Sequence, residues 1–259
     1  MRRLFAFTLA GLMTFFVAVA HAQTEYTPSA LNLAGEQRMG SQRIAKLYSQ
    51  IGLNVLPSLA MSQLTAARTG FEDNLLALKP VVAGSADATQ AYERLAGEWR
   101  GLKTALSVAI TRDAAEALAR QAEATLAAAE TLTRVLEDDS KSVDSRLVNL
   151  AGRQRMLSQR IANYYLLRSW GVQSSAVREN LESSVNDFSA GLAKLRAREG
   201  NSAEIRGELE DVAQQWEWLQ ASLSVEGAGA YRLIVAESAD AILEATDRVT
   251  RLYEQQSRR

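Results

Sequence analysis

The chain contains no cysteine, and its only histidine is His21. Residues 1–22 have the features of a secretory signal peptide. A short basic start precedes an apolar segment from Leu4 to Val19, and an Ala-His-Ala segment supplies a small-x-small cleavage site. We therefore expect a mature chain that begins at Gln23 and is periplasmic. The alternative is an uncleaved N-terminal membrane anchor.

Removal of this leader would leave neither histidine nor cysteine. That composition excludes triads with an imidazole base, thiol nucleophiles, zinc sites with His or Cys ligands, covalently attached haem and disulfide bonds. The remaining carboxylates and tyrosines form no recognisable catalytic pair, so we expect no enzyme, no cofactor and no metal. The formal net charge is −1, and it becomes −3 without Arg2 and Arg3. Such a charge argues against nucleic acid as a partner.

Proline is also scarce, since the chain has only Pro28, Pro57 and Pro80. Nothing after position 80 therefore forces a helix to break. Alanine, leucine, glutamate, glutamine and arginine are abundant, and no stretch shows the sustained alternation that is typical of strands. These features predict an all-α protein.

A repeat organises the chain. Between Asn32–Tyr48 and Asn149–Tyr165, thirteen of seventeen positions are identical, at an offset of 117 residues. The same offset aligns residues of the later helices, including two tryptophans that we expect in the core: Phe71 with Phe188, and Trp99 with Trp216. The repeat predicts two tandem antiparallel four-helix bundles, with a first module over 23–139 and a second over 140–259.

Turn residues place the eight helices. We predict them at 30–51, 54–79, 87–108, 112–138, 146–170, 174–198, 202–224 and 228–256. One break runs from Lys79-Pro80 through Gly84-Ser85. The polar joint Glu137–Ser145 contains neither glycine nor proline. It could be a short linker, which we favour, or it could continue as one long helix between two stacked bundles.

The repeated motif predicts two different faces on its helix. The apolar face is predicted to meet the core and holds Leu33, Gly40, Ile44, Leu47 and Ile51. The other face combines small residues with one arginine: Ala34, Gly35, Arg38, Ser41, Gln42 and Ala45. The second copy repeats this face with Ala151, Gly152, Arg155, Ser158, Gln159 and Ala162.

The small-residue face suggests a pocket for a small anion between two helices. Glycine within a helix costs about 1 kcal/mol relative to alanine, so Gly35 and Gly152 suggest a close approach of a neighbour. Arg38 and Arg155 follow one turn later, and a planar guanidinium matches an oxyanion well. Nearby hydroxyl and amide groups could add hydrogen bonds: Ser41, Gln42, Ser158 and Gln159.

This hypothesis requires that both guanidinium groups face a seam between helices and are not already held by acids of the chain. The alternative is an arginine that pairs with a carboxylate, beside small residues that serve packing alone. Arg43 and Arg160 are expected at the surface or in salt bridges between helices. Met39 and Met156 are expected to pack and not to bind a metal.

The segment NLAGRQRMLSQRIA resembles the opening helix of a periplasmic sensor module. That module is shared by the nitrate and nitrite sensor kinases NarX and NarQ and by PilJ, the type IV pilus chemotaxis transducer. Both copies match the pattern Asn-Leu-Ala-Gly-x-x-Arg-Met-x-Ser. The resemblance implies four-helix modules whose first helices meet across a two-fold axis and bind nitrate there. Carried over by position, it marks Gly35, Arg38, Gly152 and Arg155.

Three departures bear on function. Gln37 and Gln154 match the pilus-type pattern more than the nitrate kinases. The motif segment of the second copy is also more basic, with a charge sum of +3 and no acid against +2 in the first. In addition, the sequence shows no signalling domain after the second module, unlike the kinases and transducers.

We therefore expect a sensor-type module that binds a small anion, such as nitrate or nitrite, or a polar metabolite, and acts through a membrane receptor. The rival is a helical interaction or scaffold module without a small ligand, which docks on a receptor or a type IV pilus component. The site could form within one chain, with Arg38 facing Arg155. It could instead form in a homodimer if the modules stack. Within one chain, a bound anion would offset the repulsion between the two arginines.

Overall fold

The computed structural model describes residues 26–140, 143–225 and 229–256. These residues form eight α-helices and no strand. The helices are α1 Pro28–Gly52, α2 Pro57–Val82, α3 Ala86–Leu106, α4 Arg112–Ser140, α5 Val143–Ser169, α6 Ser175–Arg196, α7 Ala203–Leu223 and α8 Gly229–Gln256. The all-α prediction is confirmed. The predicted signal peptide lies outside the described residues.

Local chemistry explains several of the helix starts. The Thr27 hydroxyl accepts a hydrogen bond from the Ala30 amide, and Pro28 occupies the first turn, where a missing N–H costs nothing. Ser85 and Ser202 cap α3 and α7 in the same way. Helix α2 continues past Pro80 to Val82, three residues beyond the predicted helix end at 79, and the turn before α3 falls at 83–85, within the predicted break. Pro80 costs the helix one i→i−4 hydrogen bond, and the helix ends two residues after it.

Each set of four helices forms one antiparallel bundle. In the first set, α1 packs against α2 and α4, and α3 packs against α4; in the second, α5 packs against α6 and α8, and α7 packs against α8. Phe71 stacks on Trp99 with ring centroids 4.1 Å apart, and Phe188 meets Trp216 at 4.4 Å. Both tryptophans are buried, as predicted.

The two bundles lie side by side and not end to end. Helix α1 packs along α5, and α4 also contacts α5. Asn149 donates to Glu137, and Arg160 binds Glu123. Between these two contacts the residue numbers rise along α5 and fall along α4, so the two helices are antiparallel. The alternative of one long helix through the joint is therefore wrong, although residues 141–142 lie outside the described part.

The motif helices are buried on almost every side. Ile44 and Leu47 face the core as predicted, whereas Leu33 and Ile51 are only partly buried. The small-residue face is buried as well, because the partner motif helix covers it. The prediction placed only one face of the motif helix in the core. Because this helix lies between two bundles, its second face is buried too.

Candidate functional site

The two motif helices bring their arginines together. Helices α1 and α5 run parallel and in register, so each arginine lies beside the glycines of both copies. A Cβ atom added to Gly35 would lie 3.3 Å from Nη2 of Arg38 and 3.6 Å from Nη2 of Arg155. At Gly152 the corresponding distances are 3.2 Å to Arg155 and 3.6 Å to Arg38. The single-chain arrangement, with Arg38 facing Arg155, is therefore the one observed.

Both guanidinium groups lie inside the seam. Arg38 and Arg155 are each 1% exposed. The space left by the two glycines is filled by the arginine heads, which explains why neither copy has a side chain at that position. A buried pair of like charges needs compensation, because each charge has lost its water shell.

The chain itself supplies that compensation. Arg38 donates from Nη1 to Oε2 of Glu130 at 3.1 Å, and Arg155 donates from Nη1 to Oδ1 of Asp247 at 2.6 Å. The other Nη groups contact the carbonyl oxygen of Asn149 at 3.4 Å and the side-chain oxygen of Asn32 at 2.5 Å. The expectation of an arginine pair not held by acids of the chain is wrong for this structure.

Each acid also holds a second arginine. Glu130 accepts from Arg153 at 2.9 Å, and Asp247 accepts from Arg251. Glu36 lies 3.8 Å from Arg155 and adds a further negative charge. The predicted electrostatic advantage of the second copy is therefore absent, because the first bundle supplies Glu130 to its Arg153.

The environment disfavours the charged form of the first arginine. Burial lowers the pKa of the Arg38 guanidinium; Glu130 opposes this shift, and the neighbouring Arg153 and Arg155 add to it. The buried Nε atoms of Arg38 and Arg155 have no hydrogen-bond acceptor in the described structure. Each arginine thus retains one unused donor inside the seam.

The serines and glutamines of the motif do not complete an anion site. The hydroxyls of Ser41 and Ser158 donate to the carbonyl oxygens of Arg38 and Arg155 on their own helices, at 2.8 and 2.9 Å. Gln42 and Gln159 donate to carbonyl oxygens of α4 and α8. In this arrangement these groups already have acceptors, the serines within their own helices and the glutamines on α4 and α8, so their role as donors to a ligand stays a prediction.

The flanking arginines join the two bundles. Arg43 binds Asp240 of α8 at 3.2 Å, and Arg160 binds both carboxylate oxygens of Glu123 of α4 at 2.8 Å. The predicted role in salt bridges between helices is confirmed. Met156 is buried in the core, and Met39 packs against its edge.

The seam can hold a planar oxyanion only if the two acids move away from the arginines. The side chains of Glu130 and Asp247 are 32% and 23% exposed, so both reach solvent. Sequence reasoning missed these acids. The available signal was that Glu130 and Asp247 occupy equivalent positions of the repeat, 117 residues apart.

Comparison with known proteins agrees with the repeat. The family model described as "Type IV pili methyl-accepting chemotaxis transducer N-term" matches residues 19–125 and 139–256. Searches of curated proteins and of solved structures gave no match. No helix within the described ranges has the length and apolar character needed to cross a bilayer. The chain therefore belongs to the PilJ family of type IV pilus transducer N-terminal domains and carries that domain twice.

Proposed function

We propose that this chain is an exported periplasmic sensor-type module that binds one small oxyanion, such as nitrate or nitrite, between Arg38 and Arg155. The observation that supports this proposal is the convergence of two equivalent, buried guanidinium groups beside Gly35 and Gly152. Their unused Nε donors provide additional capacity for an anion.

Because Glu130 and Asp247 already hold the two arginines, the requirement for free guanidinium groups is not met, and binding would instead need an exchange of these acids for the ligand. Glu130 can leave Arg38 and keep Arg153, and Asp247 can leave Arg155 and keep Arg251. Neither carboxylate is left without a cation, which lowers the cost of the exchange. The anion would then offset the repulsion between the two arginines. Because the acids belong to α4 and α8, occupancy would change how these helices are held to the seam.

Calorimetry of the mature protein with sodium nitrate, sodium nitrite and sodium chloride tests this proposal. We expect one nitrate or nitrite per chain and loss of the heat in Arg38→Ala and Arg155→Ala. Glu130→Gln should bind nitrate at least threefold more tightly, because the competing charge is removed. Arg120→Ala is the matched control, since that arginine is 67% exposed and pairs only with Glu116 on its own helix. Equal binding by the Arg155 variant would refute the seam as the site.

A second candidate is a helical interaction module without a small ligand, acting with a membrane receptor or a type IV pilus component. The observation that favours it is the occupation of both arginines by Glu130 and Asp247. In that case the arginines only hold the bundles together. No heat with any oxyanion, in either the parent protein or Glu130→Gln, would support this function and exclude the first.

A further inference from the structure

A groove between α1 and α2 lies next to the arginine seam, and Glu36 of its lining lies 3.8 Å from Arg155 of the seam. It has a volume of about 310 Å³, near the lower end of the range for small-molecule sites. Glu36 lines one part and Arg43 another, seven residues further along α1. Seven residues correspond to a rise of about 10.5 Å on a helix. Between these two charges the lining includes Met39, Gly40 and Phe71.

The second bundle provides an internal comparison, because the equivalent region between α5 and α6 is bridged. Leu157 replaces Gly40 there and is fully buried. Arg160 crosses to Asn180 at 2.9 Å and to Ser184 at 3.1 Å, and Arg153 crosses to Asp187 at 3.1 Å.

The first bundle lacks most of these bridging groups. Ala67 and Gly70 stand at the positions of Ser184 and Asp187. Arg43 turns instead to Asp240 on α8, which leaves the surface between α1 and α2 open. Of the two equivalent grooves, the one between α1 and α2 is therefore open and the one between α5 and α6 is bridged.

Two glycines define the shape of the groove. A Cβ at Gly40 would lie 3.0 Å from Cδ2 of Phe71, whose ring is held by its stack on Trp99. This part of the groove is thus rigid, and a side chain at position 40 would disturb it. A Cβ at Gly70 would meet no heavy atom within 4 Å. Space is therefore available on the α2 side.

The two charged groups have unused binding capacity. The Glu36 carboxylate accepts one hydrogen bond from Asn74 at 2.5 Å and lies 3.8 Å from Arg155. Burial raises the pKa of Glu36, and the neighbouring Arg155 and Asn74 oppose this shift. A cation close to Glu36 would stabilise its charged form. Arg43 is 20% exposed, and among the described residues its Nη1 has one acid partner, Asp240.

We propose that this groove binds a small zwitterion, with its cationic nitrogen at Glu36, its carboxylate at Arg43 and its hydrocarbon segment over Met39 and Phe71. Because the two charges lie about two helical turns apart, the ligand must carry its own charges at opposite ends. An ω-amino acid with about five methylene groups has this form. α-Amino acids, whose two charges are adjacent, fit less well. The site goes beyond the proposed anion function and does not depend on it.

Calorimetry with 6-aminohexanoate, hexanoate and hexylamine tests the proposal. We expect 6-aminohexanoate to bind one per chain, and the two probes that lack one charge to bind at least tenfold more weakly. Arg43→Gln should weaken binding at least tenfold while the variant keeps the circular dichroism of the parent protein. Equal affinity for hexanoate and 6-aminohexanoate would overturn the role of Glu36.

A larger side chain at position 70 tests whether 6-aminohexanoate binds in this groove. Gly70→Leu should reduce 6-aminohexanoate affinity at least tenfold, because its side chain enters the open groove without a backbone clash. Gly207→Leu is the matched control, since a Cβ at Gly207 also meets nothing within 4 Å but lies on α7. Both variants should show parental circular dichroism. Unchanged binding in the folded Gly70 variant, or no binding of 6-aminohexanoate to the parent protein, would refute the groove as the site.

Discussion

The indole ring of Trp170 lies where a side chain at position 52 would be. A Cβ added to Gly52 would come 1.9 Å from Cη2 of Trp170. Gly52 ends α1, and Trp170 follows the last residue of α5. The parallel helices α1 and α5 are therefore packed together at their carboxyl ends by the Trp170 ring on Gly52. Nearer their amino ends, Arg38 and Arg155 lie between the same two helices.

Gly52→Ala should destabilise the protein by about 1–3 kcal/mol, because the added methyl group forces Trp170 to move. Gly70→Ala should stabilise it by about 0.5–1 kcal/mol, since that position is helical and its Cβ meets open space. Urea denaturation followed by circular dichroism measures both. If the two variants shifted in the same direction, the contact between Gly52 and Trp170 would not be as tight as described.

Glu130→Gln should lower the free energy of unfolding by about 2–3 kcal/mol, because Arg38 and Arg155 then share the seam with one carboxylate fewer. The double variant Arg38→Met/Glu130→Gln should recover most of this loss, since one of the two adjacent charges is removed with it. Glu116→Gln is the control. Its partner Arg120 is exposed on the same helix, and such pairs contribute about 0.5 kcal/mol or less. If the double variant is no more stable than Glu130→Gln, Arg38 and Glu130 do not depend on each other as described.

Much of the fold could be predicted because its signals are local. Helical periodicity, turn glycines and the repeat predicted all eight helices to within about three residues at each end. The close approach of a neighbouring helix to Gly35 and Gly152 could also be foreseen. Whether Arg38 would meet Arg155 within one chain or in a homodimer could not, because that depends on how α1 and α5 pack.

The partners of the arginines could not be predicted in the same way. Glu130 lies 92 residues after Arg38, and Asp247 lies 92 residues after Arg155. Whether such an acid points to the seam depends on how α4 and α8 rotate when they pack. The charge sum of the second motif was misleading for the same reason, because Glu130 reaches Arg153 from the other bundle.

Arg160→Ala should destabilise the protein by about 2–4 kcal/mol. The guanidinium is 13% exposed and joins α5 to Glu123 of α4 and to Asn180 of α6, so its loss leaves a carboxylate with no cation. Arg120→Ala should change stability by about 0.5 kcal/mol or less, as expected for an exposed pair. Thermal and urea denaturation at pH 7 measure the difference. Equal effects would mean that the junction between the bundles does not depend on this arginine.

Lys46 makes the free energy of unfolding depend on pH in a defined range. Its ammonium group is fully buried and lies 2.5 Å from Asp240; the equivalent position in the second copy is Asn163. Burial lowers the pKa of Lys46 to about 8; Asp240 opposes this shift, and Arg43 adds to it. Between pH 8 and 10.5 the unfolded chain keeps this proton, whereas the folded chain releases it. The unfolded state binds more protons, so the free energy of unfolding rises with pH in this window.

From pH 7.5 to 9.5 the contribution of Lys46 should rise by about 2 kcal/mol, since one pKa unit corresponds to about 1.4 kcal/mol. Urea denaturation at several pH values in this range measures it as the difference between the parent protein and Lys46→Met, in which Asp240 keeps Arg43. Lys103→Met is the control, because Lys103 is 38% exposed and pairs with Glu72 on the surface. The Lys46 variant should lose the slope and the Lys103 variant should keep it. A parent protein whose stability relative to Lys46→Met falls or stays flat over this range would show that Lys46 remains charged in the fold.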